Sequence, residues 1–270
     1  MAGNGGKSGA YMIQHTGGIM VRIIMCGCNG KMGRVISDLA AEDTQAKIVA
    51  GIDFITEQNY DYPVYQSILD CREEADVIID FSSPQKLNER LAYSIEKNVP
   101  MVFCTTGLSE EEFAQVSEAS KKVAILRSAN MSLGVNTLLK LVAAAAQVFA
   151  AADFDIEIVE KHHNRKVDAP SGTALAIADA MNAVLQKEYS YKFDRSQERK
   201  MRDKKEIGIS AVRGGTIVGE HEVIFAGADE VIEIKNTAYS KAIFGNGALQ
   251  AAKFLVGKPA GMYQMSDVIG

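Results

Sequence analysis

The chain reads as an α/β protein in two parts, and three patterns carry that reading. From residue 20 to about 130, short apolar runs alternate with stretches of helical period, the order that builds a parallel sheet. The first apolar run meets a glycine-rich turn, CGCNGKMGR, with glycines at 27, 30 and 33. From residue 207 the pattern changes to strand-like runs separated by glycine turns, as in hairpins. The expected architecture is a Rossmann-type parallel-sheet dinucleotide-binding domain plus an α+β substrate and oligomerisation domain with a mixed sheet. The first domain is expected over 20–130 and 240–270, the second over 131–239. Residues 1–19 carry little apolar content, no secretory core and no arginines, and are expected to be a leader or disordered extension.

Taken in order, 21–25 forms the first strand, and a helix follows the glycine turn to about residue 41. Residues 47–52 make the second strand, with Asp53 at its end. Strand, glycine loop, helix, strand and acid together are the dinucleotide-binding arrangement. The glycines permit a tight turn, close approach to a pyrophosphate and close helix packing, while the acid meets ribose hydroxyls. The spacing here is GxxGxxG rather than GxGxxG, and no GK[ST] is present to support a nucleoside-triphosphate loop. Strands at 76–81, 101–104 and 123–126 follow, each ending in a small polar loop: FSSP, CTTG, SANM. A parallel sheet gathers such loops on one edge, where a cofactor lies.

A long helix is expected over 132–149, then a strand at 154–159 and an alanine-rich helix over 173–185. Between these last two runs EKHHNRKVDAPSGTA. Pro170 and Ser171 are helix-start residues, and Gly172 allows close approach to the backbone. The N–H groups of Gly172, Thr173 and Ala174 are expected to face whatever lies before the helix, an arrangement that favours an anion. His162, His163, Arg165 and Lys166 add cationic donors, and Lys or His can deliver a proton. The loop therefore asks for an acidic substrate. Residues 187–206 read as an exposed, solvated segment of mixed sign. Four strands are expected in the second sheet, with His221 a hydrogen-bonded structural residue and no metal site at Glu220–Glu222. A helix over 240–256 is expected to return to the first domain.

Composition sets the outer limits. The formal net charge of −5 disfavours a general nucleic-acid binder. The most apolar stretch, 133–152, is interrupted by Asn136, Lys140 and Gln147, so a buried amphipathic helix is expected rather than a membrane span. The four cysteines, at 26, 28, 71 and 104, have neither zinc-site nor CxxC spacing and read as reduced thiols of a cytoplasmic protein.

By the motifs GCNGKMGR, DFSSP, TTG, EKHHNRKVDAPSGTA, VRGGTIVGEHEV and FGNGAL, the chain resembles, over residues 20–270, the 4-hydroxy-tetrahydrodipicolinate reductase (dihydrodipicolinate reductase) family. The resemblance implies reduction of a cyclic unsaturated dicarboxylate by NADH or NADPH, in lysine and diaminopimelate synthesis, by a cytoplasmic homotetramer. It implies His162 as general acid/base, Lys166 as proton donor, His163 as a substrate contact, and Gly172 and Thr173 as the carboxylate cradle. Gly27, Cys28, Asn29, Gly30, Lys31, Met32, Asp53, Cys104, Thr105, Thr106, Ser128, Ala129, Asn130 and Met131 match its cofactor positions. Phe54 stands where members that use NADPH well often carry a basic residue, so NADH is expected to be preferred, with NADPH possible and Arg34 a potential compensating cation. Lys241 stands where some members have arginine, and lacks its two-pronged fork. Another two-domain nicotinamide oxidoreductase, or a cofactor-binding sensor without turnover, are the competing readings.

Overall fold

The computed structural model describes residues 20–196 and 198–270, so the leader expected over 1–19 lies outside the described residues. Seven parallel strands form the first sheet: β1 Val21–Cys26, β2 Ala46–Ile52, β3 Val64–Tyr65, β4 Val77–Asp80, β5 Met101–Phe103, β6 Ala124–Arg127 and β12 Gly261–Tyr263. Their order is β12-β6-β5-β4-β1-β2-β3, with every pairing parallel. The strands are buried on both faces, which is why they read as unbroken apolar runs rather than alternations. One face packs under α1 Lys31–Glu42 and α6 Ala242–Leu255, the other under α2 Leu87–Lys97 and α3 Glu110–Ser120. Helix α3 starts in a full capping box, Ser109 with Glu112.

The second sheet has the order β11-β10-β7-β9-β8. Its members are β7 Asp155–His162, β8 Ser190–Lys192, β9 Glu206–Arg213, β10 Gly219–Ala226 and β11 Val231–Ala238. β10 pairs antiparallel with β7 and β11, while β9 pairs parallel with β7 and β8, so the sheet is mixed as expected. One face packs against α4 Leu133–Ala151 and α5 Gly172–Val184 through Ile156, Ile158, Ile177, Met181, Val223 and Phe225. Alternation in β7 and β10 follows directly from this one-sided burial.

Several expectations are corrected. The stretch 187–206 is largely exposed, as expected, but it is not all loop: Ser190–Lys192 adds a fifth strand, and Arg202 donates to the carbonyls of Ile156 (2.8 Å) and Glu206 (2.6 Å). A strand of three residues is too short to show periodicity, and the same holds for β3 and β12. The strand expected to end at 159 runs on to His162, because polar Glu160 and His162 occupy inward positions. Helix α4 buries Val135, Leu138, Val142 and Ala146 but leaves Leu141 and Val148 exposed, so it is less buried than expected. The final helix does return to the first sheet, packing on α1, and β12 pairs with β6.

Candidate active site

The edge where β1, β2, β4, β5 and β6 end carries the polar loops together. Gly27 has φ +80, and a Cβ there would lie 2.7 Å from the carbonyl oxygen of Phe81. A Cβ at Gly33 would lie 2.1 Å from the Gly27 oxygen, so this glycine lets α1 sit directly on the turn. Asp53 accepts hydrogen bonds from the N–H of Asn29 (3.0 Å) and of Ile55 (3.2 Å), joining the turn to the end of β2. Gly27, Gly30, Asp53 and Phe54 face Ser82 and Ser83 across a cavity of about 220 Å3. The far wall depends on a pair that sequence reasoning missed. Fully buried Asp80 accepts from Arg90 Nε at 2.7 Å, and Arg90 donates onward to the carbonyls of Ser83 (2.7 Å) and Gln85 (2.6 Å). Nothing in the FSSP spacing marks an arginine seven residues away as its support.

The donors in this groove fit a nicotinamide dinucleotide. The hydroxyls of Ser83 and Thr105 are buried without a partner, and unsatisfied buried donors of this kind ask for a ligand. Thr105, Thr106 and Cys104 line one adjoining cavity, and Ser128 and Ala129 continue from it into the next. Burial pushes the thiol of Cys104 well up, and that of Cys28 up to about 12, so both remain protonated. Cys28 and Met131 place their side chains in the core, which leaves any dinucleotide contact at those positions to the backbone. Lys31 starts α1 and is exposed, Met32 is half-buried beside it, and neither lines the cavity. Arg34 donates from Nε to the carbonyl of Asn29 at 3.1 Å.

The cavity that Ser128 and Ala129 continue into, about 730 Å3, lies between the two sheets. Asn130, His162, His163, Lys166, Gly172 and Thr173 all line it, so the middle motif and the SANM loop meet in space. Asn130 Nδ2 reaches Thr173 Oγ1 at 3.4 Å, bridging the end of β6 to the start of α5. Ser171 caps α5 by accepting from the N–H of Ala174 at 3.1 Å. Ala174 is therefore not one of the free donors expected from the sequence, and Gly172 and Thr173 provide the helix-end N–H groups. Pro170 precedes the cap, joined by a cis peptide to Ala169, rather than opening the helix itself. Lys166 Nζ lies 2.8 Å from Asp168 Oδ1. The hydrogen bond from Lys166 foremost, opposed by burial and helped by the N–H of Gly172, holds the Asp168 carboxyl below the usual carboxylate range. The lysine and the helix start thus already face a carboxylate. Nδ1 of His163 is buried with no partner. Exposed Lys241, at the N-cap of α6, is not part of the cavity wall.

Beneath His162 lies a buried group that sequence reasoning did not single out. Glu160, two residues earlier on the same face of β7, is fully buried. It receives His162 Nδ1 at 2.6 Å, the Ser171 N–H at 2.9 Å, and both terminal nitrogens of Arg213 at 2.8 and 2.7 Å. Burial alone would raise its pKa, but the hydrogen bonds from Arg213, His162 and Ser171 outweigh that and hold it below the ordinary value. His221 Nε2 lies 3.0 Å from Ser171 Oγ, and its ring meets that of His162 edge-on at 5.1 Å. Burial, and then the neighbouring His162, push His221 down to about 4. His221 is thus hydrogen-bonded and structural, as its setting in β10 suggested. Strand alternation could have flagged Glu160 as inward-facing; its pairing with Arg213 depends on the β7–β9 register, which sets His162 opposite Arg213.

Comparison with known proteins agrees with this geometry. The sequence family described as dihydrodipicolinate reductase, N-terminus, matches residues 21–131, and its C-terminus counterpart matches residues 134–269. A 4-hydroxy-tetrahydrodipicolinate reductase of Caldanaerobacter subterraneus subsp. tengcongensis is 53% identical over 251 residues, covering 93% of this chain and 99% of the relative. That of Clostridium tetani is 49% identical over 251 residues, covering 93% and 98%. In fold, the chain is similar to a dipicolinate-bound dihydrodipicolinate reductase from Paenisporosarcina sp. TG-14, with a TM-score of 0.76 at 23% identity, over 91% of this chain and 98% of that one. Two matched halves that together take in nearly all the described chain, and relatives at this identity, place it: the chain belongs to the dihydrodipicolinate reductase family of oxidoreductases.

Proposed function

We propose that this chain reduces 4-hydroxy-tetrahydrodipicolinate to tetrahydrodipicolinate in lysine and diaminopimelate synthesis, using NADH in preference to NADPH. The observation that carries the reading is the cavity in which Lys166 and the start of α5 face one carboxylate beside His162, His163 and the loop ending β6. A dicarboxylate entering here takes over the donors that Asp168 now occupies. Gly172 and Thr173 offer backbone N–H groups, Lys166 offers charge, and His163 Nδ1 offers a buried, unspent hydrogen-bonding position.

Gly27, Gly30, Asp53, Thr105 and the Ser128–Asn130 loop would hold the dinucleotide, whose reduced nicotinamide supplies a hydride when bound. The chain's own residues do the rest. They orient the substrate by its carboxylates, stabilise negative charge that develops on its conjugated system, and deliver a proton from Lys166, with His162 as the acid/base group. Asp53 followed by exposed Phe54 supports the NADH preference, since the carboxylate repels a 2′-phosphate and the ring offers it no partner. A cytoplasmic homotetramer is part of the same reading. Association is supported by the sheet face turned away from α4 and α5, at whose edges Val212 and Val231 stand exposed. The domain division at about 130 and 240 is supported by the return of α6 and β12 to the first sheet.

The test is loss of reduced-nicotinamide absorbance on mixing the protein with freshly made substrate and either cofactor. Rapid oxidation of NADH with slower oxidation of NADPH is the expected result. Equal or faster use of NADPH removes the preference but keeps the enzyme. No oxidation by folded protein that still binds dinucleotide removes the reductase reading and leaves a sensor or another substrate.

A further inference from the structure

We infer that Glu160 and Arg213 are positioning residues, through which one buried carboxylate sets both the ring of His162 and the start of α5. The inference rests on the roles proposed above for His162 and the α5 cradle. The cost of desolvating a carboxylate with no exposed surface is offset only when its lone pairs are filled. Here they are all filled. Oε1 accepts from Arg213 Nη2 (2.7 Å) and the Ser171 N–H (2.9 Å); Oε2 accepts from Arg213 Nη1 (2.8 Å) and His162 Nδ1 (2.6 Å).

Three consequences follow from that saturation. An ionised carboxylate only accepts, so the proton of neutral His162 sits on Nδ1 and Nε2 is left to exchange protons. Gly219 leaves room at that nitrogen, since a Cβ there would lie 3.1 Å from Nε2. The Ser171 N–H fixes the residue that caps α5, so the helix-end donors are held to the same carboxylate as the histidine. Arg213 extends the arrangement further. Its Nη2 also donates to the carbonyl of Asp168 at 2.7 Å, in the loop that carries Lys166. An ion pair that served only to hold β7 to β9 would need none of these links.

Among the described residues, His221, Lys166 and Asp168 act on this network electrostatically, His163 lines the same cavity, and the Lys161–Glu220 pair stands at the neighbouring positions of β7 and β10. With Glu160 ionised and Arg213 charged, the two charges of the buried pair cancel.

The experiment compares Glu160→Gln and Arg213→Lys with the wild type in the full chain. Three quantities are read: kcat and KM for the dicarboxylate, Kd for NADH, and imidazole multiple-bond 1H–15N spectra that report which nitrogen carries the proton. Glutamine keeps the shape but turns one acceptor into a donor. The expected result is a kcat loss on the order of 100-fold, the scale of misplacing a reacting group. A raised KM, a mixed His162 tautomer and unchanged NADH binding should accompany it. Arg213→Lys, keeping charge without the fork, should fall between the two. If Glu160→Gln does not fold, Arg213→Lys decides by the same readouts. Wild-type kcat, KM and tautomer in the folded variant would overturn the inference, as would loss of NADH binding in step with activity. Should the wild type not reduce this substrate, the function above falls, while the tautomer spectra still test the Glu160 assignment independently.

Discussion

Acidification from pH 7 to 5 should weaken this fold through His221. Its ring is buried, and burial followed by the neighbouring His162 pushes its pKa from 6.5 down to about 4. The unfolded chain therefore takes up this proton first as pH falls. Stability is complete above about 6.5 and is lost progressively as pH falls towards 4. The full shift corresponds to roughly 3 kcal/mol, and stopping at pH 5 should take about 2 kcal/mol of it. Glu160 does not confuse this window. Its pKa is depressed, so its contribution is present above the ordinary carboxylate value and is lost only below it. The assay is urea unfolding at several pH values for the wild type and His221→Gln, whose amide can still meet Ser171 Oγ without titrating. The wild-type curve should fall relative to the variant's by about 2 kcal/mol between pH 7 and pH 5. Parallel curves would refute the claim that His221 is held neutral at a cost in stability.

Two further outcomes are expected. Lys166→Ala should lower the rate by on the order of 100-fold or more while NADH binding, read by fluorescence, stays unchanged; an unaltered rate would remove Lys166 from the chemistry. Gly33→Ala would drive a Cβ to within 2.1 Å of the Gly27 carbonyl oxygen and 2.6 Å of that of Cys28, both rigid backbone. Helix α1 would have to lift from the turn, costing roughly 1–3 kcal/mol and weakening NADH binding. Thermal melts with and without NADH would measure both effects.

Much of this protein is legible in the chain because the signals are local. Buried parallel strands must be apolar throughout, and each is followed by the small residues that a cofactor edge requires, so GCNGKMGR, Asp53 and CTTG fall where expected. The Ser171 cap and the Gly172 helix start are equally local, since a helix end must satisfy its own N–H groups. What tertiary structure alone decided are the groups whose meaning depends on register and crossing. Arg90 under the FSSP loop, Asn130 against Thr173, and Arg213 behind Glu160 are separated from their partners by 7, 43 and 53 residues. The strands β3, β8 and β12 were hidden for a related reason: two or three residues have no period, and only a neighbouring strand makes them strands. Sequence by itself therefore determined which loops gather where the central strands of the first sheet end and which residues open α5. Only the folded chain decided which buried charge holds His162 and the α5 helix start in place, because hydrogen-bond partners of a fully buried carboxylate are set by strand register, not by sequence spacing.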